Sequence, residues 1–424
     1  MIKFLLKGLL RDKDRSLLPI IIVALGVMLT VFLTGYLAGV FNDVIRQNAN
    51  FETGHVKIMT KAYADNQSQM PNDLALLGVA ELTNTLNKQS ADLEWVSRIR
   101  FGGLLDVPDV NGQTKGQGPA IGLAVNLFSE NNKEIDRLNI KESLVWGSIP
   151  QQAGEALVSY EFANKLSLQA GDTITYVGAT MNGSMSFKNF IIIGAVRFGV
   201  GALDRGALVI DLVDARRMLD MDDGASELLG FYENSSYQSA EALALSKAFN
   251  KSYADAQDEF APMMFALEEQ NNLGEMLTYS NYMSQIIVIV LIFAMSVVLW
   301  NTGLLGGLRR YKEYGIRLAL GESKNQIYVN AQIEAILIGF IGSTIGTILG
   351  LLATYYMQEV GVDLSDINTQ GSMLIPSTLR AQLIPSQLYI GYIPGVLAML
   401  LGTMLSGIGI YKRETASLFK ELEV

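Results

Sequence analysis

Few residues of this chain could do covalent chemistry. One histidine and no cysteine occur among 424 residues, which excludes disulfides and thiolate metal sites and leaves His55 unable to form a metal cluster or a catalytic pair by itself. No GxxxxGK[ST] loop, HExxH or GxSxG is present, so the phosphate-loop route to ATP hydrolysis and the commonest hydrolase signatures are missing. His55 is read as a polar residue at a strand edge. Glu334 opens a long uncharged run, where a buried carboxylate could relay protons, but a polar helical segment precedes it and it can reach interfacial water. What remains is RRYKEYGIRLALGESKNQI at 309–327. There Leu308, Tyr311, Gly315 and Leu318 recur at helical spacing with Arg309, Arg310, Lys312, Glu313 and Arg317 around them, the pattern of a short amphipathic helix. Gly321 can end it in the left-handed conformation, and Ser323 with Gln326 forms a capping box that starts the next helix. Such a helix rests on anionic lipid or docks on another protein, and spacing alone leaves both open.

The elements that must position it are apolar. Half of the residues are hydrophobic, 17% are charged and the mean hydropathy is +0.26, a balance skewed towards a membrane chain. Four stretches without Asp, Glu, Lys or Arg reach the roughly 20 residues that a helix needs to cross a bilayer: 17–41, 286–305, 335–356 and 389–411. The first exceeds the roughly 7–15 apolar residues of a secretory signal and lacks a small-residue cleavage site, so it reads as a retained anchor. Lys and Arg cluster in 1–16, 306–334 and 412–424, whereas 357–388 holds only Arg380. The positive-inside bias therefore predicts both termini and the 306–334 segment in the cytoplasm, with 42–285 and 357–388 outside.

Segment 42–285 carries 31 Asp and Glu against 18 Lys and Arg, an acidity that argues against nucleic-acid partners. Short β-rich runs mix with short helical ones, and Asn111-Gly112, Gly171-Asp172 and Asn182-Gly183 supply turns between them. The expected fold is four transmembrane helices plus a large α+β extracytoplasmic domain with two lobes, one a β-rich insertion at about 110–200. Residues 263–285 read as a helical stalk running into the second span. Gly35 and Gly39, then Gly342, Gly346 and Gly350, then Gly391 and Gly395, each fall four apart and line one helix face. They are read chiefly as packing within the chain, with a dimer interface as the alternative. Pro394 is expected to kink the fourth span or to be tolerated by its neighbours.

The run R-x-x-E-x-G-I-R-x-A-L-G, formed by Arg310, Glu313, Gly315, Ile316, Arg317, Ala319, Leu320 and Gly321, resembles the signature of the FtsX-like permease domain of ABC transporters. One span, a large outer domain and three further spans is the arrangement of the MacB and lipoprotein-releasing (Lol) permeases. TGHVKI at 53–58 and GEALVSYEFANKLSLQAGDTITYVG at 154–178 are similar to the outer domain of that type. The length, without a fused ATPase, resembles the Lol type more than MacB. The resemblance implies a bacterial inner-membrane protein with a MacB-like periplasmic core domain and no catalytic residues of its own. It implies that the 310–321 stretch docks on a separate cytoplasmic ABC ATPase, which binds ATP and Mg, and that a second permease completes a homodimer or heterodimer.

The function implied is mechanical: ATP-driven closure of the ATPases moves the outer domains and extracts lipoproteins or other lipidated substrates from the membrane. MacB-like efflux of peptides or small amphiphiles with an adaptor and FtsX-like control of cell-wall hydrolases are the alternatives. A substrate cavity between the first and second spans of two protomers is expected near Leu37, Val40, Phe41, Met283, Ile286 and Ile287, from their position alone. In one respect the chain departs from the resemblance. Where chaperone-recruiting Lol permeases carry a Pro-containing hairpin, the turn between Tyr176 and Phe187 reads VGATMNGSMS, short and without Pro, which leaves docking of a periplasmic chaperone in doubt.

Overall fold

The computed structural model describes residues 13–90, 92–108, 112–129, 133–198, 201–233, 237–253, 258–308, 311–363 and 378–412. They fall into two compact units, with 43–278 in one and the described residues outside that range in the other.

Among the described residues, four helices are long and apolar enough to cross a membrane. The first runs Lys13–Asn48, the second Leu273–Leu308 and the third Lys324–Val360. The fourth is assembled from Gln387–Ile390, a π-helical turn at Ile393–Leu397 and Ala398–Lys412. Pro394 lies in that π turn, where widened helical spacing accommodates an imino acid that cannot donate a hydrogen bond.

Glycine spacing in the spans has a direct structural counterpart. A Cβ on Gly342 would lie 2.7 Å from Val23 Cβ, one on Gly346 2.5 Å from the Ala24 carbonyl oxygen, and one on Gly350 2.8 Å from Val31 Cβ. These three therefore form the face on which the third span meets the first. Gly35 lies against Thr354 and Gln387, Gly39 against Arg380 and Ala381, and Gly391 and Gly395 both against Val27. Gly346→Val should separate the two helices, an overpacking cost of about 1–3 kcal/mol. Loss of the monodisperse protein on size exclusion in mild detergent, with Gly306→Val as a control because nothing lies within 4 Å of its would-be Cβ, is the measurement. The second span stands apart: 6% of its apolar window is buried, against 39%, 44% and 39% in the others.

The unit at 43–278 is built on a 10-stranded sheet. Its strands are β1 (Val56–Thr60), β2 (Leu93–Pro108), β3 (Thr114–Val125), β4 (Leu144–Gly147), β5 (Glu155–Ser159), β6 (Thr173–Ala179), β7 (Met185–Val196), β8 (Ala207–Asp211), β9 (Glu227–Tyr232) and β10 (Pro262–Ala266). The order is β10-β1-β9-β2-β3-β8-β5-β7-β4, and β6 pairs with both β2 and β7. That second pairing closes a circuit, because β2, β3, β8, β5, β7 and β6 each bond the next and β6 returns to β2. Inside lie Phe101, Leu105, Ile174, Tyr176, Phe190 and Ile192. Residues of β8 are buried throughout, as a strand covered on both faces requires, whereas β6 alternates buried and partly exposed positions.

Two expectations are corrected here. The β-rich lobe is not bounded by 110 and 200, because the circuit needs β2 before the first limit and β8 after the second; β2 spans 16 residues and serves both lobes. Nor is 263–272 a stalk: Met263, Met264 and Phe265 pair with Met59, Ile58 and Lys57 of β1, and the helix begins only at Leu273. Sheet pairing supplies the backbone partners that a helix would have supplied from within.

Candidate functional site

The helix in the 309–327 stretch runs Tyr311–Ala319; Arg309 and Arg310 lie outside the described residues. Tyr314, 5% exposed, packs with Ile327 and Ala331 of the third span, and Leu318 lies against them. The buried row thus passes through Tyr314, Gly315 and Leu318. At the helix end the Glu322 N–H donates to the Arg317 carbonyl and the Gly321 N–H to the Leu318 carbonyl. Gly321 sits at φ +92°. This is the paired-bond terminus that a left-handed residue allows. Ser323 Oγ then accepts from the Gln326 N–H while Gln326 reaches back to the Ser323 backbone. Two helices are therefore joined through a turn whose backbone groups are satisfied on both sides. Nothing lies within 4 Å of a Cβ built on Gly321, so its role is conformational. Gly321→Ala should cost about 1–2 kcal/mol through the positive φ, and Gly321→Asn should cost less in the same thermal melt.

The solvent side of this helix is apolar. Ile316 is 51% exposed and Leu320 83% exposed, with Ala319 and Gly321 also exposed beside them. Glu313 and Arg317, two of the signature residues, pair with each other at 2.5 Å, both about one-third exposed. An intrahelical pair of this kind contributes little by itself, about 0.3–0.5 kcal/mol, but it borders the apolar pair with fixed charges. An exposed isoleucine on this helix and an exposed leucine just past its end, with Tyr314 and Leu318 held against the third span, suit insertion into an apolar groove of another protein.

Residues 285–415 match the FtsX-like permease C-terminal family, and residues 16–242 match the MacB-like periplasmic core domain. The chain is an ABC permease of the MacB/FtsX type. No curated protein matches it. Among solved structures, the periplasmic region of MacB from Actinobacillus actinomycetemcomitans is similar at 11% identity and a TM-score of 0.36, covering 53% of this chain and 94% of that one. Permeases of this type work with a cytoplasmic ABC ATPase.

The six residues expected to border a cavity shared by two protomers lie on the first and second spans, at partly or fully exposed positions. Met283, Ile286 and Ile287 are 52%, 53% and 42% exposed, and Leu37, Val40 and Phe41 are half-buried on the first span. Contact between these two spans is seen elsewhere, where Met295 and Leu299 lie against Gly26.

Within 43–278 the permease also carries polar chemistry that the sequence reading missed. Gln270 Nε2 donates to the Thr53 carbonyl at 3.2 Å, Asn271 Nδ2 to Glu52 at 2.9 Å, and the Leu267 N–H to the His55 carbonyl at 3.1 Å. These bonds tie the residues after the first span to those before the second. Next to them Glu227, fully buried, takes Arg100 Nε at 2.7 Å and Lys57 Nζ at 3.1 Å. Burial would raise the Glu227 pKa, but Arg100 and Lys57 outweigh it and bring it to about 2. Glu134 receives Arg98 at 2.7 Å and Arg137 at 3.0 Å, and Glu94 receives Arg137 at 2.6 Å and Lys133 at 2.9 Å. A signal was present, since Lys57 stands between Val56 and Ile58, and Glu227 before Leu228 and Leu229, charges in runs that otherwise read as core.

His55 is not at an edge. It is 3% exposed, stacked on Tyr232 at 5.4 Å between centroids, and its Nδ1 accepts from the Tyr232 N–H at 2.9 Å. Burial, with Arg137 adding to it, lowers its pKa to about 4. The folded chain holds the imidazole neutral while the unfolded chain protonates near pH 6.5. Stability from this group is therefore complete above about pH 6.5 and is lost as pH falls towards 4, by roughly 3 kcal/mol if the full shift is expressed. Urea melts at pH 7.5 and pH 5 should show about 2 kcal/mol of that loss in the native chain and less in His55→Gln.

Proposed function

We propose that this permease transmits the work of ATP hydrolysis, performed by a separate cytoplasmic ATPase, to its outer domain, which releases lipoproteins or other lipidated substrates from the inner membrane. The observation that carries the reading is the helix Tyr311–Ala319, which exposes Ile316 and Leu320 while Tyr314 is held against Ile327 and Ala331. A surface so mounted passes a push to the third span without bending first. The first and second spans are continuous helices of 36 residues each, and hydrogen bonds between 52–55 and 267–271 join the segments that follow and precede them. The little-buried second span supports a second permease at that face, either another copy or a different chain. The chain itself supplies no catalytic group; ATP and Mg belong to the ATPase.

Purification of the tagged permease with its bound material tests the substrate. Acylated protein supports lipoprotein release; a periplasmic adaptor in its place supports efflux, and a hydrolase regulator supports FtsX-like signalling. The short turn Thr180–Ser184, closed by the Thr180 N–H donating to the Ser184 carbonyl at 2.8 Å, favours a permease to which a partner chain, rather than this hairpin, brings any chaperone.

A further inference from the structure

The sheet of the outer domain has a gap where β2 passes from one lobe to the other. β2 pairs with β9 over Leu93–Arg98, but with β3 only from Ile99 onward. Residues Leu93–Arg98 thus have a neighbouring strand on one side. The phase of the ladder is fixed by the Glu233 N–H, which donates to the Asp92 carbonyl; in an antiparallel pair every second residue faces the same neighbour. Asp92, Glu94, Val96 and Arg98 therefore point their backbone groups at β9. Trp95 and Ser97 point theirs the other way, where among the described residues no strand pairs with them.

A cavity of about 310 Å³ lies beside this stretch, lined by Glu94 to Ser97 and by Asn126, Ser129, Glu134, Leu212 and Arg216; Glu94 is held by Arg137 and Lys133. The volume is at the small end of ligand clefts. Polar groups of the border are unequally used. Glu134 is neutralised by Arg98 and Arg137, and Asn126 Oδ1 accepts from the Ser129 N–H. Arg216 donates Nε to the Gly224 carbonyl at 3.1 Å, and among the described residues no carboxylate pairs with its guanidinium. Trp95, 9% exposed, has an indole N–H without a partner.

We infer that this gap is a strand-addition site: an extended segment of another polypeptide pairs its backbone with Trp95 and Ser97 and presents an acidic side chain to Arg216. Alternate N–H and C=O groups at strand spacing match an extended peptide backbone. The unmatched cation next to them selects a carboxylate, and Arg is suited to hold one with two parallel bonds. The site is independent of the ATPase-docking helix, so its failure would leave the proposed function standing.

The probe is an acetylated, amidated pentapeptide of alternating threonine and valine with a central glutamate, labelled and titrated against the full chain in nanodiscs by fluorescence polarisation. Saturable binding is expected, with a loss of about tenfold or more when lysine replaces the glutamate or when Arg216→Gln is introduced, as for a hydrogen bond to a charged group. N-methylation of the peptide nitrogens on one edge should abolish binding without altering charge. Absence of binding, or binding unchanged by N-methylation, overturns the assignment. A free-acid peptide with glutamine in place of the glutamate separates the two carboxylate sources: if it alone binds, the side-chain assignment is wrong. Unchanged melting of Arg216→Gln shows that the lost binding is not lost folding.

Discussion

Glu227→Leu should destabilise the outer domain by about 3–5 kcal/mol, the cost of leaving buried charges without their partner. Lys57 is wholly buried and Arg100 17% exposed, and both pair with this one carboxylate. A domain's net stability is about 5–15 kcal/mol, so the change removes a large share of it. Lys57→Met should cost clearly less, because Arg100 still neutralises Glu227 at 2.7 Å and a methionine fills most of the lysine stem's volume. Urea unfolding of the full chain in detergent, followed by tryptophan emission, measures both; equal midpoints for the two variants would refute the asymmetry. Acid adds a second check. Because Glu227 is held low in the fold, its contribution is complete above the ordinary carboxylate range and disappears only as pH falls towards 2. Glu227 therefore adds little to a loss between pH 6.5 and pH 5, the range in which His55 acts.

The second large effect concerns the helix Tyr311–Ala319. Ile316→Asp combined with Leu320→Asp should reduce stimulation of the partner ATPase to its basal rate. Two exposed apolar side chains that become buried on docking contribute about 1.5–3 kcal/mol each, which together amounts to a loss of affinity of about 100-fold or more. Arg317→Ala should change stimulation by less than about tenfold, since its pair with Glu313 is solvent-screened and lies within one helix. ATP turnover by permease and ATPase reconstituted in nanodiscs, with pull-down of the ATPase in parallel, reads both variants. If the aspartates leave turnover intact while Arg317→Ala abolishes it, docking is polar and the apolar pair meets lipid.

The membrane helices and the 309–327 stretch were legible because their signals are local. Uncharged runs, a left-handed glycine at 321 and a Ser323/Gln326 box each declare themselves within a few residues, and the structure places a turn at that spot. The signature residues said that this helix mattered, but not which of its faces is free. That depends on Tyr314 meeting Ile327 and Ala331, a contact between separate helices. The outer domain was legible as α+β and, by its resemblance, as a MacB-like periplasmic core domain, but its strand pairing was not. Its lobe boundary was misjudged because β2 belongs to both lobes, and no composition shift marks a strand that continues. Residues 263–266 look helical in isolation and become a strand only because β1 offers an edge. The ionic chain around Glu227 depends on cross-strand register, which periodicity does not reveal.

The closed circuit of β2, β3, β8, β5, β7 and β6 has a mechanical meaning of its own. An open sheet can flatten, fan or slide at its margins at the expense of a few bonds, but a ring has no margin at which slippage can begin. Any sliding of one strand must break two ladders together. This half of the outer domain therefore behaves as a solid piece that is carried, and compliance is left to the four-stranded half beside it, where β10 ends the sheet. Amide exchange should sort the two accordingly, with the slowest protons in β8 and β5 and the first to exchange along β10.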